Sequence, residues 1–442
     1  MISTVLLVTV GGSHEPIVTT IGALKPDRVI FICSDGARGS QSQIVGEGTP
    51  CEVRKGSEVT NRLPNIPTQT KLGDRFEPAR DLILLQDPDD LAECYGKISS
   101  ALQTLQQSCP GAIFKADYTG GTKSMSVGLA MVSIDYQVEL FLTSGNRTDL
   151  IRVQRGEMTT KTSIAPVLIQ RTIDRFLPMV LQQYNYPAAI GELTELVRSM
   201  DVPKDLLPKI RSLSNLCKGL DAWDRFDHLE AIAFLLPYAN LKQIQPLVMS
   251  LKRVIYSRSA IDADFQFAAN EGILGHGYEI VQDLLLNAQR RAVQHRYDDA
   301  VGRLYRALEL LVQVRLWKTY ELKTGDLDIF KLPEALRPSY QTKHDKGKVT
   351  IALCDSYELL VKLNNDPLGQ LYKQQRSYLL EALKLRNRSL FAHGFQPIDR
   401  ANYQHMSDTI GGFIAAGIAL AIEPKFKAIS PLQFPTSLNI AD

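Results

Sequence analysis

The sequence predicts an α/β N-terminal domain followed by two all-α regions, and three observations carry that expectation. Short β-branched runs alternate with helical spacing over the first third of the chain. The β signal then stops near residue 165. From about residue 277 onward, apolar positions recur at helical intervals over long stretches. With 442 residues the chain exceeds one ordinary core, and the changes of pattern place domains at 1–165, 166–275 and 276–442.

In the first region, Thr4 to Val10 reads as a strand ending in Gly11-Gly12, followed by a helix from Glu15 to Leu24 and a strand from Arg28 to Cys33. Residues 35–80, rich in Gly, Thr, Pro and charge, receive no assignment. Leu82 to Leu85 is a third strand, and Asp89 to Gln107 a helix after an acidic start. Ala112 to Tyr118, Ser124 to Tyr136 and Val138 to Thr143 continue as strand, helix and strand. Asp149 to Val153 is the expected partner of the last strand across Gly145-Asn146. Such alternation implies a mostly parallel, doubly wound sheet.

Prolines at 178, 187, 203, 208, 237 and 246 punctuate helical spacing in the second region. In the third, Tyr297, Val301, Leu304, Leu308 and Leu311 follow intervals of 4, 3, 4 and 3. This is one face of a long packed helix, with Asp299 and Arg303 on its wet side. A second long helix is expected from Leu368 to His393, stopped by Gly394 and Pro397. Ile410 to Ile422 is apolar but too short to span a bilayer, and reads as a buried helix or a subunit interface.

Composition narrows the function classes. Hydrophobic residues make up 44% and charged residues 22%, the balance of a folded chain, and the net charge of +2 confines any RNA site to a local patch. The six cysteines show no CxxC pair, so neither a zinc site nor a disulfide framework is expected. The opening residues, MISTVLLVTVGG, lack the basic stretch and cleavage site of a leader. A cytoplasmic, membrane-free protein is expected, with no cofactor and no metal.

Asp117-Tyr118-Thr119-Gly120-Gly121-Thr122-Lys123-Ser124-Met125 is the most informative stretch. It follows a strand, turns on two glycines and opens a helix, whose N-terminus favours anions. Thr119, Thr122 and Ser124 add hydroxyls, and Lys123 a cation. Gly11, Gly12 and Ser13, with His14 behind them, end the first strand and belong to the same sheet rim. The competing reading is a pair of tight strand–helix turns. Neither GxxxxGK[ST] nor GxGxxG is present, which argues against ATP hydrolysis and nicotinamide chemistry.

The second stretch is Leu385-Arg386-Asn387-Arg388-Ser389-Leu390-Phe391-Ala392-His393-Gly394. On a continuous helix, Arg386 and His393 share one line with Leu379, Leu383 and Leu390. A histidine titrating near neutrality and an arginine fork suit cleavage of RNA by its own 2′-OH. The alternative is an arginine paired with a carboxylate and a histidine at a helix end. So thin a site suggests two copies meeting across a two-fold axis. Arg290, Arg291, Arg296, Arg303 and Arg306 read as a solvated helix face or, less readily, an RNA groove. His276, His295, His344 and His405 show no metal-ligand spacing.

Taken together, the two stretches resemble the CRISPR-associated CARF–HEPN ribonucleases. In that family a Rossmann-like CARF domain binds cyclic oligoadenylate and switches on a dimeric HEPN ribonuclease. The resemblance implies an activator, cyclic tetra- or hexa-adenylate, held by Gly11, Gly12, Ser13, Thr119, Gly120, Gly121, Thr122, Lys123 and Met125. It implies catalysis by Arg386, Asn387, Arg388 and His393, through an Arg-x(4–6)-His motif that either Arg386 or Arg388 satisfies. Asn387 favours Arg386, because a polar residue often follows the family's arginine. A homodimer acting on single-stranded RNA is the implied working unit. A ligand-responsive transcription regulator, a catalytically silent HEPN scaffold, and ring cleavage by the CARF domain are the alternatives.

Overall fold

The computed structural model describes residues 3–36, 39–55, 58–144, 147–149, 152–153, 158–199, 202–341, 344–345, 348–363, 365–390, 394–426 and 429–439. The chain divides into two compact units, Met1–Gln170 and Arg171–Asp442.

The first unit is built on strands β1 (Thr4–Thr9), β2 (Arg28–Ser34), β3 (Leu82–Leu85), β4 (Ile113–Asp117), β5 (Glu139–Ser144) and β6 (Met158–Thr162). They lie side by side in the order β6-β5-β4-β1-β2-β3, parallel except for β6. Helices α1 (Glu15–Leu24), α2 (Leu91–Ser108) and α3 (Lys123–Asp135) cover it. Because both faces are covered, β1 is apolar without alternation. Val5 and Leu7 join Ile98 and Leu129 in one core, while Leu6 and Val8 join Ile17 and Ile21 in the other. This is the doubly wound sheet expected from the strand–helix alternation.

The partner of β5 is not the expected Asp149–Val153. Met158–Thr162 pairs with β5 instead, bringing the Thr159 and Thr143 hydroxyls to 2.9 Å, and Arg147–Asp149 closes on Arg152–Val153 as its own hairpin. The unassigned stretch 35–80 contains a second hairpin, Cys51–Lys55 with Glu58–Leu63.

Among its described residues the second unit is helical apart from one short hairpin, Asp345 pairing with Lys348 and His344 with Val349. Its principal helices are α4 (Leu207–Asp224), α5 (Gln245–Ser259), α6 (Glu279–Val293), α7 (Tyr297–Tyr320), α8 (Leu353–Lys362), α9 (Pro367–Asn387) and α10 (Gly412–Ala421). Most of the expected connector, 166–275, folds into this unit with the C-terminal helices. On α7, Val301, Leu304, Leu308 and Leu311 are buried as their spacing requires. The apolar 410–422 stretch packs inward, and a β-carbon on Gly417 would stand 2.7 Å from Leu368. Among the described residues, no helix is long and apolar enough to cross a membrane.

Arg296 and Arg306 are exposed, as a solvated face requires, but Arg290, Arg291 and Arg303 depart from it. Arg290 is fully buried, 2.7 Å from the Asp224 carboxylate on α4, with its guanidinium carbon 3.8 Å from the Phe434 ring centre. Arg291 also meets Asp224, and Arg303 donates to the Asn287 side chain rather than pairing with Asp299, which meets Arg296. The carboxylates come from a distant helix, so the charges are compensated inside the unit. Phe434 packs on Trp223 and Tyr186 as well, which ties the C-terminal segment to α4. Arg290→Ala leaves a buried carboxylate short of its partner, and is expected to lower unfolding stability by about 3–5 kcal/mol in urea titration. A loss below about 1 kcal/mol would show that the pair is dispensable.

Candidate functional site

The strand order makes β1 and β4 neighbours whose connections leave in opposite directions. A crevice therefore opens at their carboxyl ends, where open α/β sheets take ligands. The two glycine loops meet there. A β-carbon on Gly11 would lie 2.5 Å from the Gly121 nitrogen, and one on Gly120 would overlap the Thr9 carbonyl oxygen. Gly121 also has φ +83, a left-handed backbone that favours glycine. Gly11 and Gly120 are thus required by loop-on-loop packing, and Gly121 by its backbone conformation. Gly12 has nothing within 4 Å of such a position, and with Ser13 it faces solvent.

Most hydroxyls of the second loop hold the loop itself. The Thr9 hydroxyl donates to the Gly120 carbonyl at 2.7 Å, and the Thr119 hydroxyl accepts from the Thr143 N–H at 2.7 Å. Thr122 caps α3 by accepting from the Met125 N–H and donates to the Pro88 carbonyl, while Ser124 donates to the Asp89 carbonyl at 2.8 Å. Met125 is buried in the core. Lys123 stays exposed at the first turn of α3, beside N–H groups that have no acceptor within the helix. Left exposed at these loops are therefore Lys123, beside the first-turn N–H groups of α3, and the open Gly12-Ser13 turn.

Three further residues shape this rim: Asp117, which sequence reasoning includes in its motif without a role, His14, which it leaves between a ligand contact and a plain polar contact, and Gln43, which it does not single out. Asp117 accepts from Thr20 and Thr143 and, at 2.8 Å, from the Thr119 N–H, so one buried carboxylate anchors the loop to α1 and β5. Gln43 donates to the Gly11 carbonyl at 2.6 Å, and its own amide oxygen lacks a hydrogen-bond partner. The His14 ring nitrogen Nε2 is likewise buried and unpartnered, and burial holds its imidazole below the ordinary range, hence neutral. Two orphaned polar atoms beside the crevice leave room for hydrogen bonds to a ligand. Of these, Gln43 alone carries no signal in the sequence.

In the second unit, α9 ends at Asn387, not at His393. Arg388 is its C-cap, Ser389 N–H donates to the Arg386 carbonyl at 3.0 Å, and Gln396 N–H donates to the Arg388 carbonyl at 3.1 Å. A β-carbon on Gly394 would overlap that same carbonyl, so the chain turns back across the helix end. The continuous seam from Leu379 through Leu390 is broken, and Leu390 is exposed. His393 lies outside the described residues.

Both ends of α9 are fixed to α7. At its start, buried Asp366 caps the helix by accepting from Leu368 and Gly369 N–H groups, and accepts from Arg315 at 2.8 Å and Tyr320 at 3.0 Å. At its end, the Arg386 guanidinium lies 4.2 Å from the Tyr305 ring centre and 3.3 Å from the Asn387 side-chain oxygen. Its Nε is buried with no hydrogen-bond partner. Arg386 is thus held on an aromatic face with donor capacity to spare, whereas Arg388 is exposed.

Residues 269–416 match a family model described as the Csm6 HEPN domain. The chain carries a Csm6-type HEPN domain. The matched segment contains α6 to α9, both candidate arginines and Tyr305. Among solved structures, Csm6 of Enterococcus italicus, bound to cyclic hexa-2′-fluoro-hexa-dAMP, shares the fold with a TM-score of 0.56 over 96% of each chain, at 12% identity. No curated protein matches the sequence. The chain therefore shares that structure's fold, a Rossmann-like unit followed by helices, with the HEPN match lying in the helical part. The HEPN match supports an ancillary ribonuclease of type III CRISPR systems.

The glycine geometry is directly testable. Gly11→Ala and Gly120→Ala each force backbone against backbone and should destabilise the protein by about 1–3 kcal/mol in urea unfolding. Gly12→Ala meets open space and should stay within about 0.5 kcal/mol of the parent. Equal effects at all three positions would contradict the loop-on-loop contact.

Proposed function

We propose that the protein is a metal-independent, single-stranded RNA endoribonuclease switched on by cyclic oligoadenylate, working as a homodimer in type III CRISPR defence. The observation that carries this reading is the pairing, in one chain, of a switch-point crevice with a HEPN helix end that presents Arg386. The crevice offers Lys123 and first-turn N–H groups to phosphate, and the Gly12-Ser13 turn closes its other side. The E. italicus relative is bound to a cyclic hexanucleotide analogue, which supports a ring of nucleotides as the ligand here.

At the nuclease end, His393 takes the proton of an RNA 2′-OH, whose oxygen attacks the adjacent phosphorus. The bond to the 5′-oxygen then breaks as that oxygen takes up a proton from water, leaving a 2′,3′-cyclic phosphate and a 5′-hydroxyl. Arg386 stabilises the charge on the pentacovalent phosphorus, and Asn387 hydrogen-bonds beside it. Arg388, exposed at the turn, contributes a second cation. A partner chain supplies the second half of the site across the two-fold axis. The ring alters the geometry between the two HEPN domains, a coupling between separate sites.

Labelled RNA incubated in EDTA with cyclic tetra- or hexa-adenylate should be cut, with little cutting when the rings are omitted. His393→Ala should abolish cutting and leave ring binding by calorimetry unchanged. Intact RNA with both rings at high protein concentration would sink the reading. Tyr305 acts as a positioning residue for Arg386. Tyr305→Leu should reduce kcat by roughly tenfold, the loss of one exposed-to-buried cation–π contact, while Tyr305→Phe preserves the ring and restores the rate. Equal rates in the two variants would remove Tyr305 from the site.

A further inference from the structure

A groove of about 660 Å³ lies in the helical unit between α7 and the helices α5 and α6. One stripe of α7 forms its wall: Arg306, Leu310, Gln313 and Trp317, spaced 4, 3 and 4 apart and so aligned on a single helix face. Arg258 and Lys323 reach the lining from the opposite side and from the loop after α7. Arg306 stands next in sequence to Tyr305, whose ring carries Arg386. From Arg306 to Trp317 the stripe extends roughly 16 Å along the helix.

We propose that this groove binds the single-stranded RNA substrate on one side of the cut, with a base stacked on Trp317 and phosphates met by Arg306 and Lys323. The inference rests on the ribonuclease reading above and names where its substrate lies. Four features select RNA as the occupant. An indole on an apolar floor suits a base face of any identity, and the side-chain amide of Gln313 stands on the same stripe for a base edge. The cations at the mouth are exchangeable. Arg306 holds Glu309 at 2.6 Å and Gln313 at 3.0 Å on a half-exposed surface, and the Lys323 ammonium stands 5.1 Å over the Trp317 ring without an ion pair among the described residues. The carboxylates of the lining are already compensated, Asp262 by Arg258 at 3.2 Å and Asp326 by Lys348 at 3.3 Å, so neither repels a phosphate unopposed. Its volume falls in the range of small-ligand sites, roughly 300–1,000 Å³, enough for a base with its sugar and phosphate.

The test uses the full chain carrying His393→Ala, so that RNA binds without being cut. Anisotropy of a fluorescein-labelled, mixed-sequence single-stranded RNA is read with cyclic hexa-adenylate present. Adding Lys323→Glu, or Trp317→Leu, should raise Kd by roughly tenfold, whereas Trp317→Tyr keeps an aromatic face and should stay within about threefold. Thermal unfolding of each variant separates lost binding from lost folding, and Lys323→Glu alters only an exposed side chain. Unchanged Kd for both Lys323→Glu and Trp317→Leu overturns the groove while the ribonuclease reading stands. Absence of RNA binding by the His393→Ala parent, together with absence of cutting by the wild type, instead overturns the ribonuclease reading.

Discussion

Asp366 sits almost wholly out of water and accepts four hydrogen bonds, two from the first turn of its own helix and two from α7. A buried carboxylate tolerates that position because Arg315 neutralises it and every bond is charge-assisted. The consequence is geometric. With one end of α9 fixed against the far half of α7, the two helices run antiparallel, and Arg386 arrives over Tyr305 at the other end. The same helix α7 presents its buried seam to the core and its Arg306–Trp317 stripe to the groove. Core, candidate catalytic arginine and groove therefore share one rigid reference, which is how a site avoids the looseness of loop-borne side chains.

The N-terminal unit solves a comparable problem with backbone instead of charge. Its two glycine loops touch without side chains between them, and the Asp117 carboxylate binds the second loop to α1 and β5. The crevice gains a floor whose position does not depend on rotamers. Ligand-facing groups are left to the exposed turn and to the end of α3. This division explains why so few of the loop's hydroxyls remain free. Rigidity there is consistent with a site that must register a ligand and transmit its presence.

Much of the fold was legible because it depends on local pattern. The strand–helix alternation, the unbroken apolar β1 and the 4-3 spacing of α7 each reflect neighbours within a few residues. What could not be read depends on distant partners. Arg290 resembles a solvated arginine until Asp224, on another helix, is placed beside it. The glycines of Gly120-Gly121 resemble a ligand cradle, yet their tightest neighbours are Thr9 and Gly11 at the start of the chain. The end of α9 misled for a different reason: Arg386 and His393 have helical spacing, and Leu390 fits between them. Only the close approach of Gly394 to Arg388 reveals that the chain turns, and that contact has no signature in spacing. Gly12, Ser13 and Lys123 were read from sequence and are exposed at the loops that end β1 and open α3, whereas Tyr305 offered no signal beyond its place on α7.

The central position of β1 has a consequence for how the chain is made. Its first neighbour, β2, follows within one helix, but its other edge waits for β4, which is synthesised only after β3 and α2. Until then a run of apolar residues with unpaired N–H and carbonyl groups is exposed, the kind of edge that recruits strands from other chains. Non-local parallel pairing of this sort is slow. The crevice between β1 and β4 therefore cannot exist until that edge is closed, well after β1 and β2 have been made.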